Sequence, residues 1–91
     1  MDSNRCISQA IRVRLVRLGK TQNDLADQVG IDQTQFSGYM NGKVGWRLST
    51  LDDLLAPLKW KDLAELANAA EVEREAAEAI ATSKVGTVQA A

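Results

Sequence analysis

The chain has 91 residues, of which 45% are hydrophobic, 25% charged and 4% aromatic, a composition typical of one small soluble helical domain. It contains no histidine and a single cysteine, Cys6, which excludes an internal disulfide and a cysteine zinc cluster and argues against an enzyme. Neither a signal peptide nor a run of 18 apolar residues is present, so we expect a cytoplasmic protein without membrane association. Nothing indicates a cofactor, a metal or a small-molecule substrate.

The net charge of −1 conceals an uneven distribution along the chain. Residues 1–50 carry seven Lys or Arg against four Asp or Glu, whereas residues 51–91 carry four against eight. A basic half followed by an acidic half suggests one face for a polyanion, although charge runs commonly do no more than solvate a helix face.

Hydrophobic spacing and capping residues predict the first two helices. Apolar residues at intervals of three and four indicate a helix from about Ser3 to Leu18, which Gly19 ends. Thr21 is predicted to cap a second helix with a capping box, and Gly30 stops this helix after about two turns.

The third and fourth helices follow in the same way. Asp32 is a good cap for a helix that runs through Asn41. After a loop, Ser49 and Asp52 are predicted to open a fourth helix, and Pro57 is expected to kink it or end it early.

An alanine- and glutamate-rich fifth helix is predicted over residues 62–81, followed by a flexible tail over residues 82–91. The sequence thus predicts an all-α, five-helix fold, with one domain over residues 1–81 and no internal repeat.

Two short helices joined by a turn that contains glycine are the outline of a helix-turn-helix. Ala26 is small where the second and third helices should cross, and Gly30 supplies the left-handed backbone of the turn. Ile31 and Phe36 are expected to fill the angle between the helices, with Met40 as the second buried residue of the third helix.

The segment from Thr21 to Gly42, TQNDLADQVGIDQTQFSGYMNG, resembles the helix-turn-helix of the lambda repressor and Cro family. The matching landmarks are Gln22, Ala26, Gly30, Ile31, Phe36 and the pair Asn41-Gly42. Similarity extends from about Ile7 to Leu66. The resemblance implies a lambda-repressor-like domain that binds double-stranded DNA and inserts residues 33–41 into the major groove.

Base-reading residues follow from the rotation of 100° per residue along the third helix. With Phe36 and Met40 buried, the polar side chains point the other way, and the first turn reaches base edges in this docking mode. The predicted base-reading residues are Gln33, Thr34, Gln35, Ser37 and Gly38. A glutamine side chain can form two hydrogen bonds with an adenine base. Gly38, which has no side chain, is expected to let the helix backbone approach the groove. The simpler interpretation is that these residues are only a solvated surface.

A second set of residues is expected to hold the phosphate backbone. Gln22 and Asn41 match family positions that contact phosphate, and Lys43 and Arg47 lie in the loop that follows. Four cations in or next to the first helix either reach the DNA backbone or are solvated: Arg12, Arg14, Arg17 and Lys20.

The sequence departs from the family at an ion pair between the first and third helices. Leu15 and Met40 occupy the corresponding positions, so an apolar contact is expected instead. Lys20 stands where the family usually has an apolar residue, which leaves the register of the first helix uncertain by one position.

The fifth helix is the candidate for a homodimer contact, since repressors of this family commonly bind two half-sites as dimers. The candidate interface residues are Leu63, Leu66, Ala70 and Ile80. Equally, Leu63 and Leu66 can close the core of the monomer. The sequence predicts a transcriptional regulator, such as a phage or prophage repressor. The alternatives are an antitoxin of a toxin–antitoxin pair and a protein-interaction module that kept the fold without DNA binding.

Overall fold

A computed structural model describes the backbone of residues 2–90 and the side chains of residues 2–80. The five helices in this part of the chain are α1 (Ser3–Leu18), α2 (Gln22–Val29), α3 (Gln33–Met40), α4 (Leu48–Leu55) and α5 (Leu63–Ala90). Residues 2–90 contain no strand, and the predicted all-α, five-helix fold is confirmed. None of the described helices is both long and apolar enough to cross a membrane. The helix predicted over residues 62–81 continues to Ala90 in the structure, so its predicted end was too early. The flexibility predicted for residues 82–91 stays a prediction.

Local hydrogen bonds fix the two helices of the motif and the turn between them. Asp24 N donates to Thr21 Oγ1 at 3.1 Å and Thr21 N donates to Asp24 Oδ2 at 3.0 Å, which completes the capping box of α2. Gly30 ends α2 with φ of 75°, a backbone that glycine adopts without strain. Asp32 Oδ2 then accepts two backbone N–H groups of α3, at 3.0 and 3.2 Å. The turn therefore has only three residues.

The fourth helix differs from the prediction at its start. It begins at Leu48, one residue before the predicted serine cap, and Arg47 at the N-cap makes no side-chain capping bond. It ends at Leu55, because Pro57 has no N–H with which to continue the hydrogen-bond ladder. Trp60 N donates to Leu55 O at 2.9 Å and closes the turn that follows.

Side chains from all five helices form one core. α1 packs most extensively against α5. The buried cluster contains Cys6, Ala10, Ile11, Leu15, Leu25, Ala26, Phe36, Met40, Leu51, Leu54, Leu55, Leu58, Trp60, Leu66 and Ala70. Ile31, in the turn, packs against this cluster, so the helix-turn-helix rests directly on the core. Trp60 was not predicted to be buried; it follows the turn after α4 and lies against α1.

Two cations, one in α1 and one just after its C-cap, are bound to carbonyl groups just beyond α4. Arg14 Nε donates to Leu58 O at 2.7 Å, and its guanidinium lies 5.5 Å from the ring centre of Trp60. Lys20 Nζ donates to Pro57 O at 3.3 Å. These contacts explain why Arg14 lies next to the apolar stripe of α1 and why a lysine fits at position 20.

The end of α3 is joined to α1 by an apolar contact region and a hydrogen bond. Leu15 and Met40 both lie in the core, so the positions of the family's ion pair are apolar in this chain. Arg12, one turn before Leu15, donates its Nη2 to Met40 O at 3.0 Å. It thereby satisfies one of the carbonyl groups that the end of a helix leaves without a partner.

Alanine at Gly30 and at Gly38 should have opposite effects on stability. Gly30→Ala is expected to lower the free energy of unfolding by about 1–2 kcal/mol, since an L-residue is strained at φ of 75°. Gly38→Ala, the matched control, is expected to raise it by about 0.5–1 kcal/mol, because its Cβ would make only an ordinary contact of 3.7 Å with Val44 in a helical backbone. Urea unfolding measures both, and a shift of the same sign would contradict the two backbone assignments.

Candidate nucleic-acid interface

The third helix has one apolar and one polar face. Phe36, Tyr39 and Met40 are buried, and the remaining side chains of α3 point away from the core. Among the predicted base-reading residues, Gln33, Thr34 and Gln35 are exposed, while Ser37 and Gly38 are half-buried. The arrangement offers amide and hydroxyl groups without charge, the groups that hydrogen-bond to base edges.

The predicted phosphate-contacting residues lie at helix ends and in the loop that follows α3. Gln22 is the first residue of α2 and Asn41 is the C-cap of α3. Lys43 and Arg47 are exposed between α3 and α4. The structure joins Asn41 to the base-reading face, since its Nδ2 donates to Ser37 Oγ at 3.1 Å. Within residues 2–80, no side-chain hydrogen bond links Gln22 or Arg47 to the others.

The loop after α3 is held in place by Trp46. The indole is stacked on the Tyr39 ring, with centroids 5.0 Å apart, and meets Phe36 edge to face at 5.9 Å. Its Nε1 donates to Ser8 Oγ at 3.0 Å, and Ser8 Oγ donates to Tyr39 O at 3.3 Å. Trp46 N donates to Asn4 Oδ1 at 3.0 Å. One side chain therefore fastens the loop to both α1 and α3.

Sequence reasoning missed this cluster. It placed Trp46 in a loop without a role and did not count Tyr39 among the buried residues of α3. The available signal was a large aromatic residue in a short loop rich in glycine, because such a side chain rarely stays fully exposed. Ser8, the one buried polar side chain among the described residues, gave no signal in the sequence.

Charged side chains lie both at the start of α2 and beside α3. Hydrogen bonds from the backbone and side chain of Thr21 lower the pKa of Asp24, so this carboxylate keeps its charge and its bond to Thr21 N at a more acidic pH than an isolated aspartate would. Lys43 and Arg47 are exposed in the loop after α3, and Arg12 of α1 is exposed where it binds the last carbonyl of α3. Arg14 and Lys20 bind carbonyl groups just beyond α4 instead. The positive charge beside α3 therefore comes from the loop and from Arg12.

The residues predicted for a dimer contact are placed differently from the prediction. Leu66 and Ala70 are buried in the chain's own core, at 2% and 8% exposure, and have almost no surface to offer a second copy. This burial supports the alternative that the stripe closes the core of the monomer, and the homodimer contact stays a prediction. Leu63 is half-buried against the core, and Ile80 is exposed.

Removal of the Ser8 hydroxyl should destabilise the fold. Ser8→Ala leaves the indole N–H without its acceptor and removes one of the two donors to Tyr39 O, which also accepts from Gly42 N at 3.2 Å. We expect it to lower the free energy of unfolding by about 1–3 kcal/mol. Trp46→Phe removes the N–H and keeps an aromatic ring. The double variant should lose less than the sum of the single losses, because the two groups interact. Urea unfolding of the four proteins gives the coupling, and strict additivity would show that no such interaction exists.

Comparison with known proteins agrees with this geometry. Residues 10–71, more than half of the chain, match the family described as Cro/C1-type HTH DNA-binding domain. The match includes the whole of α2, α3 and α4 and the loop that holds Trp46. No curated protein and no solved structure matches the chain. The sequence match covers most of the five-helix fold that contains the motif. This chain therefore belongs to the Cro/C1-type HTH DNA-binding domain family.

Proposed function

We propose that this protein is a sequence-specific transcriptional regulator that inserts α3 into the major groove of double-stranded DNA. The observation that carries the proposal is the division of α3 into a buried apolar face and an outer face of uncharged amides and hydroxyls. Such a face bonds to base edges without attracting or repelling them by charge. The family supports DNA binding in general, and this face supports base reading in particular.

The first turn of α3 is the strongest candidate for base contacts. Asp32 caps the helix by accepting backbone N–H groups, which leaves the exposed side chains of Gln33 and Thr34 available for a ligand. A glutamine amide bonds bidentately to adenine N6 and N7, and each good pair gives about 1–3 kcal/mol of discrimination. Thr34 offers a hydroxyl to a base or a methyl group to thymine.

Phosphate contacts position this helix in the groove. Gln22 lies at the N-terminus of α2, where the unpaired N–H groups and the helix dipole favour an anion. Asn41, Lys43 and Arg47 extend the contact beyond the end of α3. These groups fix the register of the protein on the duplex and carry no sequence information themselves.

The regulator would act in the bacterial cytoplasm or nucleoid by occupying an operator and blocking or recruiting polymerase, as a phage or prophage repressor does. Two copies would read mirrored half-sites about one DNA turn apart. Among the side chains of α5 that the structure describes, the exposed Ile80 and Val72 offer apolar surface for a second copy. A toxin bound to the same helix would make the protein an antitoxin.

Selection of bound sequences from a random duplex pool, repeated at two salt concentrations, tests the proposal. Recovery of a motif with mirrored halves is the expected result and would also establish a dimer. A single unmirrored motif would retain sequence-specific binding and reject the dimer. Absence of enrichment at low salt would overturn the proposal in favour of a protein-interaction module.

Base-reading and phosphate-contacting residues should respond differently to alanine. Gln33→Ala is expected to weaken operator binding by about 1–3 kcal/mol and to leave non-specific binding nearly unchanged. Lys43→Ala is expected to weaken both and to reduce the salt dependence by about one unit of slope. Fluorescence anisotropy with operator and scrambled duplexes measures these effects. The two roles would be refuted if both variants weakened binding to the operator and to the scrambled duplex equally and had the same salt dependence.

A further inference from the structure

Gly38 lies on the outer face of α3 but is not open to solvent. The loop folds back over it: Lys43 N donates to Gly38 O at 2.9 Å, and Val44 N donates to the same oxygen at 3.3 Å. A Cβ added at Gly38 would lie 3.7 Å from Val44 Cγ2. Gly38 is therefore half-buried because Val44 lies over it. The expected close approach of its backbone to the groove stays a prediction, which this position of Val44 disfavours.

Val44 presents its other side to solvent, with 47% of the residue exposed. The remaining large exposed aliphatic residues among those described lie on α1, α4 and α5. Val44 is thus an apolar group beside the polar hydroxyls and amides of α3. Two hydrogen bonds to the Gly38 carbonyl group and the nearby Trp46 hold its loop in place.

The chemistry of the major groove identifies what such a group can contact. Among the four bases only thymine presents a methyl group there, and apolar side chains read it by contact. A valine held rigidly against α3 offers methyl groups at the place where a side chain from position 38 would otherwise stand. Because its loop is anchored, little conformational entropy is lost when the contact forms.

We propose that Val44 is a base-reading residue that contacts the 5-methyl group of a thymine, in place of the side chain that Gly38 lacks. The inference rests on the proposed DNA binding and extends it: the recognition surface contains α3 and one residue of the following loop. Sequence preference at one operator position then depends on a residue outside the third helix.

Replacement of thymine by deoxyuridine, one operator position at a time, tests the contact because it removes only the methyl group. For the unmodified protein, one such replacement in each half-site is expected to weaken binding about fourfold, the effect of one buried methyl group. Val44→Ala should bind the thymine operator more weakly and should no longer distinguish thymine from deoxyuridine at that position. The same operator series with Thr34→Ala shows whether the Thr34 methyl group is responsible instead.

Val16→Ala is the matched control, since Val16 is 80% exposed on α1 and undergoes the same chemical change. It should bind both operators as the unmodified protein does. Thermal unfolding of Val44→Ala is expected to match that of the unmodified protein, so that weaker binding reflects a lost contact. If an operator is recovered and no thymine position is coupled to Val44, this inference is overturned and the proposed function stands. If no DNA sequence is enriched, both are overturned.

Discussion

The carbonyl groups at the ends of three short helices are the constraint on which this fold depends. α2, α3 and α4 have eight residues each, so half of the carbonyl groups in each lack an N–H partner within the helix. Side chains from α1 and the residue just after Gly19 bind carbonyl groups at these ends: Arg12 donates to the last carbonyl of α3, and Arg14 and Lys20 donate to carbonyls in the turn after α4. The first helix and its end thus hold the chain at the ends of two other helices.

The same contacts reduce the number of basic residues in the first half of the chain that are available to bind a polyanion. A count of seven basic residues in the first 50 suggests a large surface for a polyanion. Three of those cations instead bind carbonyl groups of the chain, and they are oriented by the fold rather than by a ligand. The exposed cations beside α3 are Lys43 and Arg47 of the loop and Arg12 at the end of that helix. The location of cations is therefore more informative for this surface than their number.

Local signals made most of the fold predictable, and non-local contacts made the rest unpredictable. The Thr21 capping box and the left-handed Gly30 depend on neighbours in sequence, so the turn of the motif could be placed in advance. The hydrogen bond between Trp46 and Ser8 joins residues 38 positions apart, and no local sequence pattern predicts it. The apolar stripe of α5 was ambiguous for another reason: its period is the same whether Leu66 faces the core or a second copy.

The motif also has no stability apart from the domain. Helices of eight residues are far shorter than the roughly 12–15 needed for an isolated helix to persist in water. α2 and α3 persist because their apolar faces pack on each other and on α4 and α1, respectively. A substitution that weakens the core anywhere consequently disrupts the outer face of α3 along with the fold. In a genetic screen for loss of regulation, inactivating substitutions would therefore be scattered over the whole domain, and their positions alone would not map the surface that meets DNA.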